Sequence, residues 1–188
     1  MKMSSKKITF IALCVAINSV SAWLAVVLKL PVYLDSIGTI MAGFSFGPAF
    51  GILTGIISAF ANSIGDPIAI YFMPTQIIVG FTSGYFEFLK RDKFLSKFYL
   101  TPAMSIPVAI SSALIATYLF GTVTTAGSSY IVQALRAVMD ISDFAIVFVV
   151  QIITDYADKL FSVLLVSKIY NMNAFQNILK NNKFNHNF

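Results

Sequence analysis

The 188-residue sequence is short of charge, of cysteine and of histidine. Charged side chains make up 11% of it and hydrophobic ones 57%, with a mean hydropathy of +0.81. Soluble domains carry about a quarter of their residues charged, so that class is excluded and an integral membrane protein is expected. The single cysteine, Cys14, allows neither a disulfide framework nor a thiolate metal cluster within one chain. The single histidine, His186, lies in a polar tail, which removes the usual serine–histidine protease and any histidine-ligated metal site. No GxxxxGK[ST] phosphate loop occurs, so the chain has no ATP site of that kind. No cofactor is expected. From Pro31 to Pro74 there is no lysine, arginine or histidine at all, and the only charges are Asp35 and Asp66.

What is present is a series of apolar runs cut by proline and glycine. At roughly 20 residues per helical crossing the length accommodates about six spans, and the fold expected is an all-α, six-transmembrane-helix bundle. Residues 1–170 form a single membrane domain in this reading, and 171–188 a polar, frayed cytoplasmic tail. Helix one covers Ile8 to Leu28; its basic lead and the Ser19-Val20-Ser21-Ala22 stretch resemble a cleaved signal, but the apolar run continues through Trp23, which favours a retained span. Helix two starts near Asp35 and Ser36, whose oxygens suit a first-turn cap, and ends near Phe46. Helix three runs from Pro48 to Ser63, and helix four from Thr75 to Lys90. Gly47, Gly51, Gly55, Ala59 and Ser63 recur every fourth residue, as do Gly80 and Gly84, giving smooth edges for close helix contact. Helix five spans Phe98 to Phe120, kinked by Pro102 and Pro107, with Ser112 and Ala116 as another such edge. Tyr130 to Ser142 has the spacing of an amphipathic lid, and the last span is placed at Ile152 to Tyr170, because Phe144 to Tyr170 is too long for one untilted crossing.

With both termini cytoplasmic, most lysines fall inside and only Lys29, Arg136 and Lys159 outside, as the positive-inside rule requires; the basic residues mark topology and do not imply nucleic acid. Polar chemistry then gathers on the outer side. Gln151, Thr154, Asp155, Asp158 and Lys159 share one face of the last helix, where ionisable groups usually meet a cavity or a partner. Each candidate has a bland alternative. Asp155 and Lys159 suit an i,i+4 ion pair, Asp35 a helix cap, Asp66 a turn before proline, and Arg136 a pair with Asp140. Asn62 and Gln76 offer amides to a ligand or to neighbouring backbone. Tyr33, Tyr71, Tyr85, Tyr130 and Trp23 read by default as interfacial anchors. An aspartyl intramembrane protease is disfavoured, because Ser63-Ile64-Gly65-Asp66 lacks the first glycine of GxGD and Asp155-Tyr156 reverses the usual order.

Three stretches together resemble a known family: Leu30-Pro31-Val32-Tyr33-Leu34-Asp35-Ser36-Ile37-Gly38-Thr39, Gly47-Pro48-Ala49-Phe50-Gly51, and Asp158-Lys159-Leu160. They look like the substrate-binding S components of energy-coupling factor (ECF) transporters, closest to the riboflavin-type branch and its relatives. The resemblance implies a six-helix binder of a vitamin or related micronutrient in a bacterial cell membrane, driven by a transmembrane coupling protein and two ATPases. It implies ligand contacts at Asp35, Asn62, Asp66, Gln76, Arg136, Asp155, Asp158 and Lys159, and docking of the coupling protein on Ala12 and Ala16, which match its AxxxA motif. The outer aspartates exceed what a riboflavin pattern needs. Carboxylates suit a ligand rich in N–H donors or carrying a cation, such as a queuosine-type 7-deazapurine or a thiamine precursor. A small structural or assembly membrane protein is the alternative, and an intramembrane enzyme the third.

Overall fold

The computed structural model describes residues 4–86 and 94–181, and all regular structure among them is helical. The order is α1 (Ser5–Val27), α2 (Ile37–Phe46), α3 (Pro48–Asn62), a 3-10 helix (Pro67–Phe72), α4 (Met73–Tyr85), α5 (Phe94–Leu100), α6 (Pro102–Tyr118), α7 (Ser128–Arg136), α8 (Asp143–Tyr170) and α9 (Asn173–Asn181). Two helices are long and apolar enough by themselves to cross a membrane: α1, and the pair α5 and α6 taken together over Leu95–Tyr118. Helices α2 and α3 are apolar but shorter, and α8 is long but carries charge. The bundle wears its apolar side chains outside: Leu13, Trp23, Ile110, Ile153 and Phe161 are exposed, whereas Asn18, Asp155, Asp158 and Lys159 are buried.

Prolines start helices here. Pro48, Pro67, Pro74 and Pro102 each occupy a first-turn position, where a missing N–H costs nothing. Pro102 also leaves the carbonyl of Phe98, four residues earlier, without its helical donor. The Tyr156 hydroxyl of α8 donates to that oxygen at 2.8 Å, so the break between α5 and α6 is stitched to the neighbouring helix. Helices α2 and α3 are separated by Gly47 alone, whose φ of 88° lies in the region that glycine tolerates.

The four-residue ladder is where α3 meets α4. A Cβ on Gly51 or Gly80 would collide with the other helix's backbone, one on Gly55 would press on the Gln76 carbonyl, and one on Gly84 would strike Gly47 and Pro48. The N-terminus of α1, the α2–α3 junction and α9 gather at one end, where Phe10 contacts Phe46 and Phe175, and Tyr170 contacts Phe44.

Several boundaries differ from the sequence reading. Helix α8 is one continuous helix of 28 residues and absorbs the stretch before Ile152. The amphipathic segment is helical only to Arg136, and the turn after Asp66 is a 3-10 helix. Helix α4 ends at Tyr85; the basic loop from Lys90 to Lys93 lies outside the described residues. Where a frayed tail was expected, α9 forms and sets Phe175 against Phe10 and Tyr170; residues 182–188 lie outside the described residues.

Substituting Gly80→Ala should lower the unfolding temperature of the purified protein in detergent, at a cost of about 1–3 kcal/mol from overpacking against backbone that has no room to give. Gly65→Ala, whose nearest atom would be the Asn62 carbonyl at 3.9 Å, should leave that temperature unchanged. Equal effects at both positions would contradict the close contact of α3 with α4.

Candidate functional site

The polar face of α8 points inward, with Gln151, Thr154, Asp155, Asp158 and Lys159 all buried. A charge removed from water must find a partner, and Asp158, with 0% exposure, finds two. Its Oδ1 accepts the backbone N–H of Leu34 at 2.8 Å, and its Oδ2 accepts from the Lys159 ammonium. Lys159 Nζ also donates to the Ser36 hydroxyl at 2.9 Å and lies 3.8 Å from the Asp35 carboxylate. The first loop, residues 28–36, is thereby tied to the middle of α8. Tyr33 adds another tie: its hydroxyl donates to Gln151 Oε1 at 2.8 Å and sits 3.0 Å from the Ser128 hydroxyl.

An Asp155–Lys159 ion pair was the bland alternative to a ligand site, and the structure does not form it. Lys159 is taken by its neighbour Asp158, and Asp155 instead accepts the Ser112 hydroxyl of α6 at 2.8 Å. Asp35 was expected to cap α2, but that helix has no cap from Ser36, and the amide of Gly38 in its first turn is capped from α1 by Asn18 Oδ1 at 2.6 Å. Asn18, fully buried, also donates to Thr39 and Ser58 at 2.9 Å each. The Thr39 hydroxyl donates to Gln76 Oε1 at 3.1 Å, and Gln76 Nε2 donates to the Asp35 carbonyl at 3.3 Å. This relay of side chains joins α1, α2, α3, α4 and the first loop. The sequence reading assigned Asn18 no role; an amide inside an apolar span was the available signal.

Above this network lies a cavity of about 360 Å³. Its polar lining includes Asp35, Asn62, Asp66, Gln76, Asp155 and Lys159, drawn from the first loop, the end of α3, the following turn, α4 and α8. Its apolar lining includes Trp23, Tyr33 and Phe72, and Ile64 stands exposed at its edge. The space between the helices is therefore not filled solid, as an assembly of self-cancelling ion pairs would leave it. Asn62 accepts the Ser19 hydroxyl at 2.7 Å. Asp66 caps the 3-10 helix at the Ile68 amide and accepts the Thr125 hydroxyl, which holds the loop between α6 and α7 across the cavity. Gly127 at the end of that loop packs on the Leu30 carbonyl so closely that a Cβ would not fit.

Two candidates fall outside the lining. Asp158 is wholly engaged beneath it, and Arg136 turns away to pair with Asp143 at 2.8 Å and to donate to Thr122 at 3.0 Å, not to Asp140. Tyr33, read as an interfacial anchor, is a cavity wall held by two hydrogen bonds. Burial is the largest influence on both ionisable groups of the first loop. It pushes the Asp35 carboxyl above its ordinary range, with Lys159 opposing and Asp158 adding to the rise. It likewise raises the Tyr33 hydroxyl, helped by the charge of Asp155. Ala12 and Ala16 are exposed on α1, away from the cavity lining. No cluster of three or more histidine, cysteine or acidic residues suited to a metal occurs among the described residues.

Asp158→Ala should destabilise the protein by about 3–5 kcal/mol, because it strands the Lys159 ammonium and the Leu34 amide. Asp158→Leu combined with Lys159→Met should recover part of that loss, as replacing both members of a buried pair does. Denaturant unfolding in detergent measures both, and a double variant less stable than the single one would show that the pair is not the anchor described.

Comparison with curated proteins gives no match, nor does comparison with solved structures. The model of one family, described as "ECF transporter, substrate-specific component", matches residues 6–176. Members of that family are substrate-binding transport subunits and not enzymes. By a match that covers most of the chain, this membrane protein belongs to the family of substrate-specific S components of ECF transporters.

Proposed function

We propose that this S component captures a small heterocyclic micronutrient in the cavity above Asn18 and Gln76 and releases it on the opposite side of a bacterial cell membrane. The observation that carries this reading is the cavity itself. At about 360 Å³ it falls within the range of small-molecule sites, and it combines apolar walls with a few convergent polar groups. Vitamin-sized rings, whether a 7-deazapurine, a flavin or a thiamine precursor, are the candidate cargo. In this reading α1, α2, α3, α4, the α5–α6 pair and α8 make six crossings, with α7 lying at the outer face and α9 at the inner. Short α2 and α3 cross because neighbouring helices and loops flank their ends. The energising partner is the family's module of a transmembrane coupling protein and two ATPases, and the exposed small residues Ala12 and Ala16 are its docking edge on α1. Membrane lipid covers the remaining apolar surface.

Protein purified from cells without added ligand should release a heterocycle detectable by mass spectrometry. In vesicles containing the coupling module, Ala12→Trp with Ala16→Trp should abolish uptake of that compound while binding by the isolated subunit persists. Loss of both activities in a folded variant, or a purified protein that is empty and transports nothing, would defeat the reading. Topology has its own check. In a Cys14→Ala background, an impermeant maleimide should label Ile64→Cys on intact cells but Asn173→Cys only after permeabilisation; the reverse pattern, or labelling of both from outside, rules out the six-crossing arrangement.

A further inference from the structure

The ionisable groups around the cavity do not balance. Asp35, Asp155 and Asp158 interact with a single ammonium, Lys159, and no other basic side chain among the described residues lines the cavity. Lys159 is already committed: it donates to Asp158 and Ser36, and it approaches Asp35 no closer than 3.8 Å. Arg136, the nearest guanidinium in sequence, is held by Asp143. The one ammonium in the lining is thus already engaged, while Asp35, Asp66 and Asp155 line the same volume with carboxylate.

Asp155 is the clearest case. It is 2% exposed, it lines the cavity, and its only hydrogen bond among the described residues comes from Ser112 to Oδ2. A carboxylate offers about four acceptor sites; no protein donor among the described residues reaches Oδ1, which is not sealed from the cavity and so is open to a donor there. Asp35 keeps 25% of its side-chain exposure on the same cavity. Trp23, Tyr33 and Phe72 line the same cavity, and aromatic rings suit a planar body and attract positive charge.

We infer that the cavity takes a compact, planar ligand bearing one positive charge on an amidine-type N–H pair, received by Asp155 with Asp35 beside it. This rests on the binding function proposed above and narrows it to a charge class. A paired N–H edge suits a carboxylate because two parallel charge-assisted bonds form at once, and its charge offsets one of the two carboxylates that Lys159 leaves unmatched. An anionic ligand would add to the excess and is excluded. Burial holds the Asp35 carboxyl above its ordinary range, and a cation seated beside it would favour the ionised form, as Lys159 already does.

Three matched probes test this: 2-naphthamidine, 2-naphthamide and 2-naphthoate, titrated by calorimetry into the washed full-length protein in detergent. The amidine should bind about tenfold or more tighter than the amide, the difference between charge-assisted and neutral hydrogen bonds, and naphthoate should not bind. In Asp155→Asn the amidine should fall to the level of the amide. If that variant does not fold, Asp35→Asn should show a partial loss of the same preference. Amide or naphthoate binding as tightly as the amidine overturns the inference, as does an amidine preference that survives Asp155→Asn or the binding of none of the three. Those results leave the binding function standing if a neutral or anionic compound is recovered from the purified protein; an empty, inactive protein removes that function instead.

Discussion

A carboxylate with no access to water has to be answered from within the bundle, and the answer given to Asp158 arranges much of what surrounds it. One oxygen draws in the Leu34 amide and the other the Lys159 ammonium, so residues from the first loop are drawn down onto α8. Leu34 adopts a φ of 52°, a conformation that leucine rarely takes and that the hydrogen bond to Asp158 helps to hold. The residues on either side of it are thereby delivered to the cavity: Tyr33 as a wall and Asp35 as a charge. Lys159 makes its direct contact with Asp158 and not with Asp155, which leaves Asp155 to Ser112 and to the cavity.

Helix packing decides where space remains. Along α3 and α4 the small residues let the backbones touch from Gly84 through Gly80 and Gly51 to Gly55. Beyond that level Ala59 and Asn62 face the cavity with Gln76 and Thr75 of α4. Here the larger polar side chains bond to loops and to α1 and α2. Close contact at one end and polar props at the other convert a helix bundle into a container. The props are coupled, since Ser58, Asn18, Thr39 and Gln76 form a continuous run of hydrogen bonds ending at the Asp35 backbone. A ligand seated on Asp35 would therefore press on the same network that holds α1 against α2.

Two loops close the container from different directions. The first loop is fixed from below by α8, while the loop between α6 and α7 is fixed across the top by Thr125 on Asp66 and by Gly127 against Leu30. The contrast between them is one of burial. Asp158 is sealed inside, but the Thr125–Asp66 bond is at the exposed edge, where water competes for both partners.

Much of this was legible in the residues alone. An apolar sequence with sparse charge requires helices whose outer faces are apolar, and the four-residue recurrence of small side chains announces where two of them touch, because those facts depend only on local composition and helical period. The same period placed Gln151, Asp155, Asp158 and Lys159 on one face of α8. It did not say which acid the lysine would choose, since a helix offers Lys159 both a neighbour and a residue one turn back, and the Leu34 amide and Ser36 hydroxyl that settle the matter come from more than 120 positions away. Arg136 with Asp143, Tyr33 with Gln151, and Asn18 capping α2 from another helix belong to the same kind. The class of protein and the helical face were properties of the chain; the partners were not, because each pairing is a competition between groups brought together only when the helices pack, and the winner is whichever leaves the fewest buried charges and hydrogen-bonding atoms unanswered.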